Sequence, residues 1–150
     1  MAVFSRARTI PAGTERIWEL LGDVGALSSW ARLVDHSCVL TTGPHGDLIG
    51  TTRRVQIGRT TLVERITEFD PPRALSYQIC GLPPQLGNVV NRWVLSPTAG
   101  GTVVTLTTTV ESGPGVLRRA AAALAARMPA RRSAVLLDDL ADRITEECHV

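Results

Sequence analysis

The side chains with the most obvious chemistry in this chain are scattered. Its three histidines are His36, His45 and His149, and its three cysteines are Cys38, Cys80 and Cys148. No two share a spacing that would hold a metal, so no metal is expected. Asp35 and His36 adjoin each other, and neighbours on a strand face opposite ways, so they cannot act as a dyad. His36 alone would suit an acid/base role, but a surface or packed histidine is the simpler account. Ser28-Ser29 and Ser112 lack the Gly-x-Ser-x-Gly elbow of a serine nucleophile. No Gly-rich loop precedes a helix to cradle phosphate. The chain contains no lysine, which excludes Schiff-base chemistry.

Polar groups set among apolar ones are more promising. Strand alternation puts Leu75, Tyr77 and Ile79 on one face, with Ser76, Gln78 and Cys80 on the other. The same rule groups Asn91 with Trp93 and Leu95, and Val104 with Leu106, Thr108 and Val110. Arg53, Val55 and Ile57 form a further set. Arg53, Arg54 and Arg65 lie on adjacent predicted strands, with Glu64 and Glu68 nearby. A cross-strand ladder of ion pairs on the outer surface accounts for these charges. If one arginine points inward it is Arg53, which shares parity with Val55 and Ile57. An inward guanidinium would hold a carboxylate or polarise a carbonyl, because it never deprotonates.

The elements that must position these groups are legible in order. Ala2 to Ile10 reads as a strand ended by Pro11-Ala12-Gly13. Thr14 is a suitable N-cap for a short helix bearing Ile17, Leu20, Leu21 and Val24 on one face, and Asp23 can cap a second short helix to Ser29. Helices this short cannot stand alone and must plug one end of a sheet. Strands then follow at Val34–Thr42, Leu48–Ile57, Thr60–Phe69, Ala74–Cys80, Val89–Leu95 and Thr102–Glu111, between Gly- and Pro-rich turns. Seven strands joined mostly by hairpins are antiparallel.

The stretch from Gly115 to Glu147 carries no strand signal. Leu117, Ala121, Leu124 and Met128, then Leu137, Leu140 and Ile144, recur at helical spacing, with Ser133 thinning the stripe between them. Pro129 predicts a kink near Arg127–Ala130. A rod of about 45 Å is too long for a small domain to bury unless a curved sheet wraps it. The architecture expected is α+β: a seven-stranded curved antiparallel sheet, two short helices after its first strand, and a long C-terminal helix over an internal cavity.

The segments Pro11–Trp30, Glu64–Tyr77 and Gly100–Thr105 resemble the START-like helix-grip superfamily, within it the polyketide cyclase/dehydrase and lipid-transport group. The likeness runs over nearly the whole chain. It implies a ligand chamber rather than a filled core in which Tyr77 and Trp93 only pack. The candidate ligand-contacting residues are Trp30, Arg53, Val55, Leu75, Tyr77, Ile79, Asn91, Trp93, Leu106, Thr108, Leu124 and Met128, with Arg53 and Tyr77 as catalytic candidates. Entry is expected near residues 81–87 and 43–46. Three functions follow: a carrier of one apolar molecule (a lipid, polyketide or aromatic metabolite), a cyclase that folds a poly-β-ketone in the same chamber, or a regulatory partner with a vestigial cavity. No cofactor is implied.

Composition bounds the rest. The chain's 150 residues, 44% of them apolar, suit a single soluble domain spanning 1–150. A net charge of +2 is too small to argue for nucleic acid. Odd, widely spaced cysteines and an N-terminus without an apolar leader point to the cytoplasm. Arg118, Arg119, Arg127, Arg131 and Arg132 precede Asp138, Asp139, Asp142, Glu146 and Glu147 on the terminal helix. The arginines would suit contact with anionic lipid, but a solvated face paired within the helix is the reading adopted.

Overall fold

The computed structural model describes residues 2–81, 87–111 and 132–146. Seven strands make one sheet: β1 (Ala2–Ile10), β2 (His36–Thr41), β3 (Thr52–Ile57), β4 (Thr60–Asp70), β5 (Ala74–Cys80), β6 (Asn88–Thr98) and β7 (Gly101–Glu111). Their order is β1-β7-β6-β5-β4-β3-β2, and every pair is antiparallel. Strands β2 to β7 form a meander, and β1 returns to pair with β7 from Ala2↔Val110 to Ile10↔Thr102. Helix α1 (Thr14–Leu21) and a 3-10 stretch, Val24–Ser29, follow β1. Residues 132–146 are helical and form the described part of the C-terminal helix, α2.

Period-two patterning explains the sheet. In β7 the alternate residues Thr102, Val104, Leu106, Thr108 and Val110 are all buried, while those between are half-buried. Ile17 and Leu21 bury one face of α1, and Leu136, Leu137, Leu140, Ala141 and Ile144 bury one face of α2. These residues join Trp30, Val55, Ile66, Leu75, Tyr77 and Trp93 in one core. At the turn into β7, Gly101 has φ 143°, and a Cβ there would collide with the carbonyl oxygen of Ile10. Only glycine lets the β6–β7 turn sit this close to the end of β1.

Several boundaries differ from the sequence reading. Helix α1 starts at Thr14 itself, capped by extended Gly13 without a side-chain bond; the Thr14 hydroxyl instead donates to Glu15 at 3.2 Å. Asp23 occupies its cap position without a side-chain bond either. Strand β2 begins only at His36, because the Val34 amide closes a turn onto the Ala31 carbonyl at 3.0 Å. Before β3, residues 43–51 form a loop held by the Thr51 hydroxyl, which donates to the Asp47 carbonyl at 2.7 Å and accepts from the Gly43 amide at 3.0 Å. Strand β6 runs on through Pro97 to Thr98. Beyond Val94 it has no β5 partner, so the missing Pro97 N–H costs no ladder bond.

The acidic half of the terminal helix also pairs differently. Asp138 is bonded to Arg8 of β1. Arg32, in the loop after the 3-10 stretch, faces Asp139, Asp142 and Glu146 at 4.0, 3.5 and 3.4 Å. These acids fasten the helix to other elements; Arg118, Arg119, Arg127 and Arg131, their expected partners, lie outside the described residues. Residues 112–131, which include Leu117, Ala121 and Pro129, lie outside the described residues.

Candidate ligand-binding site

Arg53 is the inward arginine. Its strand alternation with Val55 buries both, and it is 2% exposed. The charge ladder expected on the outer surface is, at this rung, a buried pair. Arg53 stands opposite Glu64 in the β3–β4 register, and its Nε donates to Glu64 Oε1 at 2.8 Å. Its Nη1 donates to the Val24 carbonyl at 3.0 Å, which ties the sheet to the 3-10 stretch. Glu68 is answered by an arginine outside the expected set: it accepts two bonds from Arg92 of β6, at 2.9 and 3.2 Å, and one from Ser76 at 2.7 Å.

The Arg53 guanidinium lies 4.5 Å over the ring of Tyr77, a cation–π contact in a desolvated setting. Trp93 Nε1 donates to the Tyr77 hydroxyl at 3.2 Å, and Trp93 meets Trp30 edge-on at 6.1 Å. The indole N–H of Trp30 is buried without a partner among the described residues. Behind Tyr77, Asn91 accepts a bond from Thr108 at 2.6 Å, and the hydroxyls of Thr108 and Ser133 are 3.4 Å apart. This polar string crosses from β5 through β6 and β7 to α2.

Burial pushes the Tyr77 phenol up to about 12, and the negative charge of Glu64 pushes the same way. Arg53 and the bond from Trp93 oppose the rise without reversing it. The hydroxyl therefore keeps its proton at neutral pH.

A cavity of about 30 Å³ adjoins the cluster. Leu27, Val34, Val55, Leu62, Ile79 and Leu136 supply apolar walls; Glu64, Tyr77, Asn91 and Arg132 supply the polar ones. The space these residues enclose admits a water or two. A larger ligand fits only by extending past them.

The structure brings together most of the residues singled out from the sequence. Val55, Tyr77, Ile79 and Asn91 border the cavity. Trp30, Arg53, Leu75, Trp93, Leu106 and Thr108 are buried in or beside the cluster. Leu124 and Met128, like Cys148 and His149, lie outside the described residues, as do residues 82–86 of the loop expected at the entrance. His36 is exposed on the edge strand, and His45 has φ 58° in a turn. Among the described residues no group of three metal-binding side chains forms, and no helix is long and apolar enough to cross a membrane. Sequence reasoning missed Glu64 and Arg132 as cavity residues. Counting outward from the Gly58-Arg59 turn puts Glu64 opposite Arg53, so that signal was present. Nothing local marks Arg132.

The model of a family described as polyketide cyclase / dehydrase and lipid transport matches residues 1–145. The chain belongs to this family. No curated protein matches it in sequence. Among solved structures, a Thermobifida fusca protein is 25% identical with a TM-score of 0.78, covering 95% of this chain and 93% of that one. The Zhui aromatase/cyclase from a Streptomyces species is 17% identical with a TM-score of 0.76, covering 95% and 92%. The di-domain aromatase/cyclase StfQ of the steffimycin pathway is 15% identical with a TM-score of 0.78; this chain spans 52% of its length. Such low identities establish the shared helix-grip fold. Within the family, then, this member keeps a curved antiparallel sheet and a C-terminal helix, with its own polar cluster between them.

Proposed function

We propose that this polyketide cyclase/dehydrase family member is a single ligand-binding domain, residues 1–150, that holds one hydrophobic small molecule between sheet and C-terminal helix. The carrying observation is the string Glu64–Arg53–Tyr77–Trp93 placed against a cavity in an otherwise apolar core. Burying an ion pair costs several kcal/mol of desolvation per ion, roughly, and well-packed apolar residues would stabilise the fold as well or better. Orienting groups at the wall of a greasy space are what a small-molecule site requires. The free thiols Cys38 and Cys80 favour a reducing, cytoplasmic setting.

Native mass spectrometry of the freshly purified protein tests this reading. A lipid-like or aromatic mass should accompany the folded protein, and Trp93→Ala should release it. A bare protein that also takes up no apolar probe would sink the idea.

A second reading, a cyclase, is favoured by the chemistry of Tyr77. A phenol that stays protonated beside a fixed guanidinium polarises a ketone, and the cavity's shape would set which carbons meet. Two structural neighbours are named aromatase/cyclases, which supports the same reading. The carrier needs binding alone; the cyclase also needs turnover of a poly-β-ketone that Tyr77→Phe slows.

A further inference from the structure

The cavity holds two arginines in or beside its wall, and their circumstances are opposite. Arg53 is spent: Glu64 takes its Nε, Val24 takes its Nη1, and Tyr77 covers its face. Arg132 is half-buried, borders the same space from α2, and makes no hydrogen bond or ion pair among the described residues. Its own helix offers no relief. Val135 and Leu136 occupy the positions three and four residues on, where an acid would pair with it. The nearest helical acids, Asp138 and Asp139, are engaged by Arg8 and Arg32. Among the described residues, the cavity's charged groups therefore leave Arg132 uncompensated.

Tyr77 borders the same space, its hydroxyl bonded to the side chains of Trp93 and Asn91.

We propose that Arg132 is the charge-reading residue of this cavity, and that the ligand is an apolar molecule bearing an oxyanion, a carboxylate or an enolate. Arg132 pairs with the oxyanion, and the Tyr77 ring lines the space that takes the apolar part. This rests on the reading of the cavity as a ligand site. A half-desolvated guanidinium gives a charge-assisted bond that a neutral ester cannot match, and Gln in its place keeps donors but loses the charge.

The test uses the full chain and two probes that share one ring system and differ by a methyl cap on the carboxyl, 2-naphthoate and methyl 2-naphthoate, titrated by calorimetry and tryptophan fluorescence near neutral pH. The acid should bind about tenfold more tightly than the ester, from the worth of a charged hydrogen bond. Arg132→Gln should remove that preference, Arg132→Lys should retain part of it, and Arg59→Gln at an exposed turn should leave the affinities of both probes unchanged. Equal binding of acid and ester by the wild type, or a preference that survives in Arg132→Gln, overturns the proposal and leaves the ligand site standing. Binding of neither probe removes the ligand site and the proposal with it.

Discussion

Tyr77 is the chain's one tyrosine, so its ionisation can be followed by phenolate absorbance without interference. Folding holds the phenol neutral, raising it from an ordinary 10.0 to about 12. The sign follows from linkage: a group that the fold keeps protonated contributes stability that is intact below pH 10.0 and is lost as pH climbs through about 12. Phenolate should thus appear late and together with unfolding, and a reversible transition centred near 10 in the folded protein would show the ring to be solvated. At this scale the sequence was partly legible. Parity alone selected Arg53 over Arg54, and the structure buries the first and leaves the second half-exposed. Parity did not reveal that Glu64 already answers the guanidinium, since surface ladders and buried pairs share one spacing.

Strand alternation and the stripe of Leu137, Leu140 and Ile144 located the elements, because burial of one face leaves its period in the sequence. Helix partners are another matter. Asp139 is 5% exposed and accepts the backbone N–H of Arg32 at 2.9 Å, a bond between elements more than a hundred residues apart. No local rule finds it. Asp139→Ala should cost about 1–3 kcal/mol by stranding that amide, whereas Arg32→Ala, which keeps the backbone bond and strips the ion pairs of an exposed guanidinium, should cost less than about 1 kcal/mol. Denaturant melts compare the two directly. Equal losses would mean that the exposed charge cluster, rather than the buried acceptor, fastens the helix.

Across the whole molecule, the first strand closes against the last, and Ser5 and Thr107 hydroxyls meet at 2.8 Å across that seam. Ile10 at its end is fully buried. Removing residues 1–10 would bare the inner edge of β7, where Val104 and Val110 are buried, and would cut Arg8 away from α2. The truncated chain should lose its near-ultraviolet circular dichroism and its cooperative melt. A sharp transition within a few degrees of the parent would show that the remaining six strands carry the core unaided. The long sequence separation of this pairing also predicts slow folding relative to helical domains of similar size.

Period, turn residues and strand count were enough to determine seven antiparallel strands and a terminal helix from the sequence, since each reports a local constraint: a buried face, a tight reversal, a hairpin. Which charges cancel and which stay open was decided only in three dimensions. Arg53 and Arg132 are the same residue type on apolar stripes, yet one meets a carboxylate across a strand and the other meets a cavity. Electrostatic compensation depends on distance through space, and distance along the chain does not encode it.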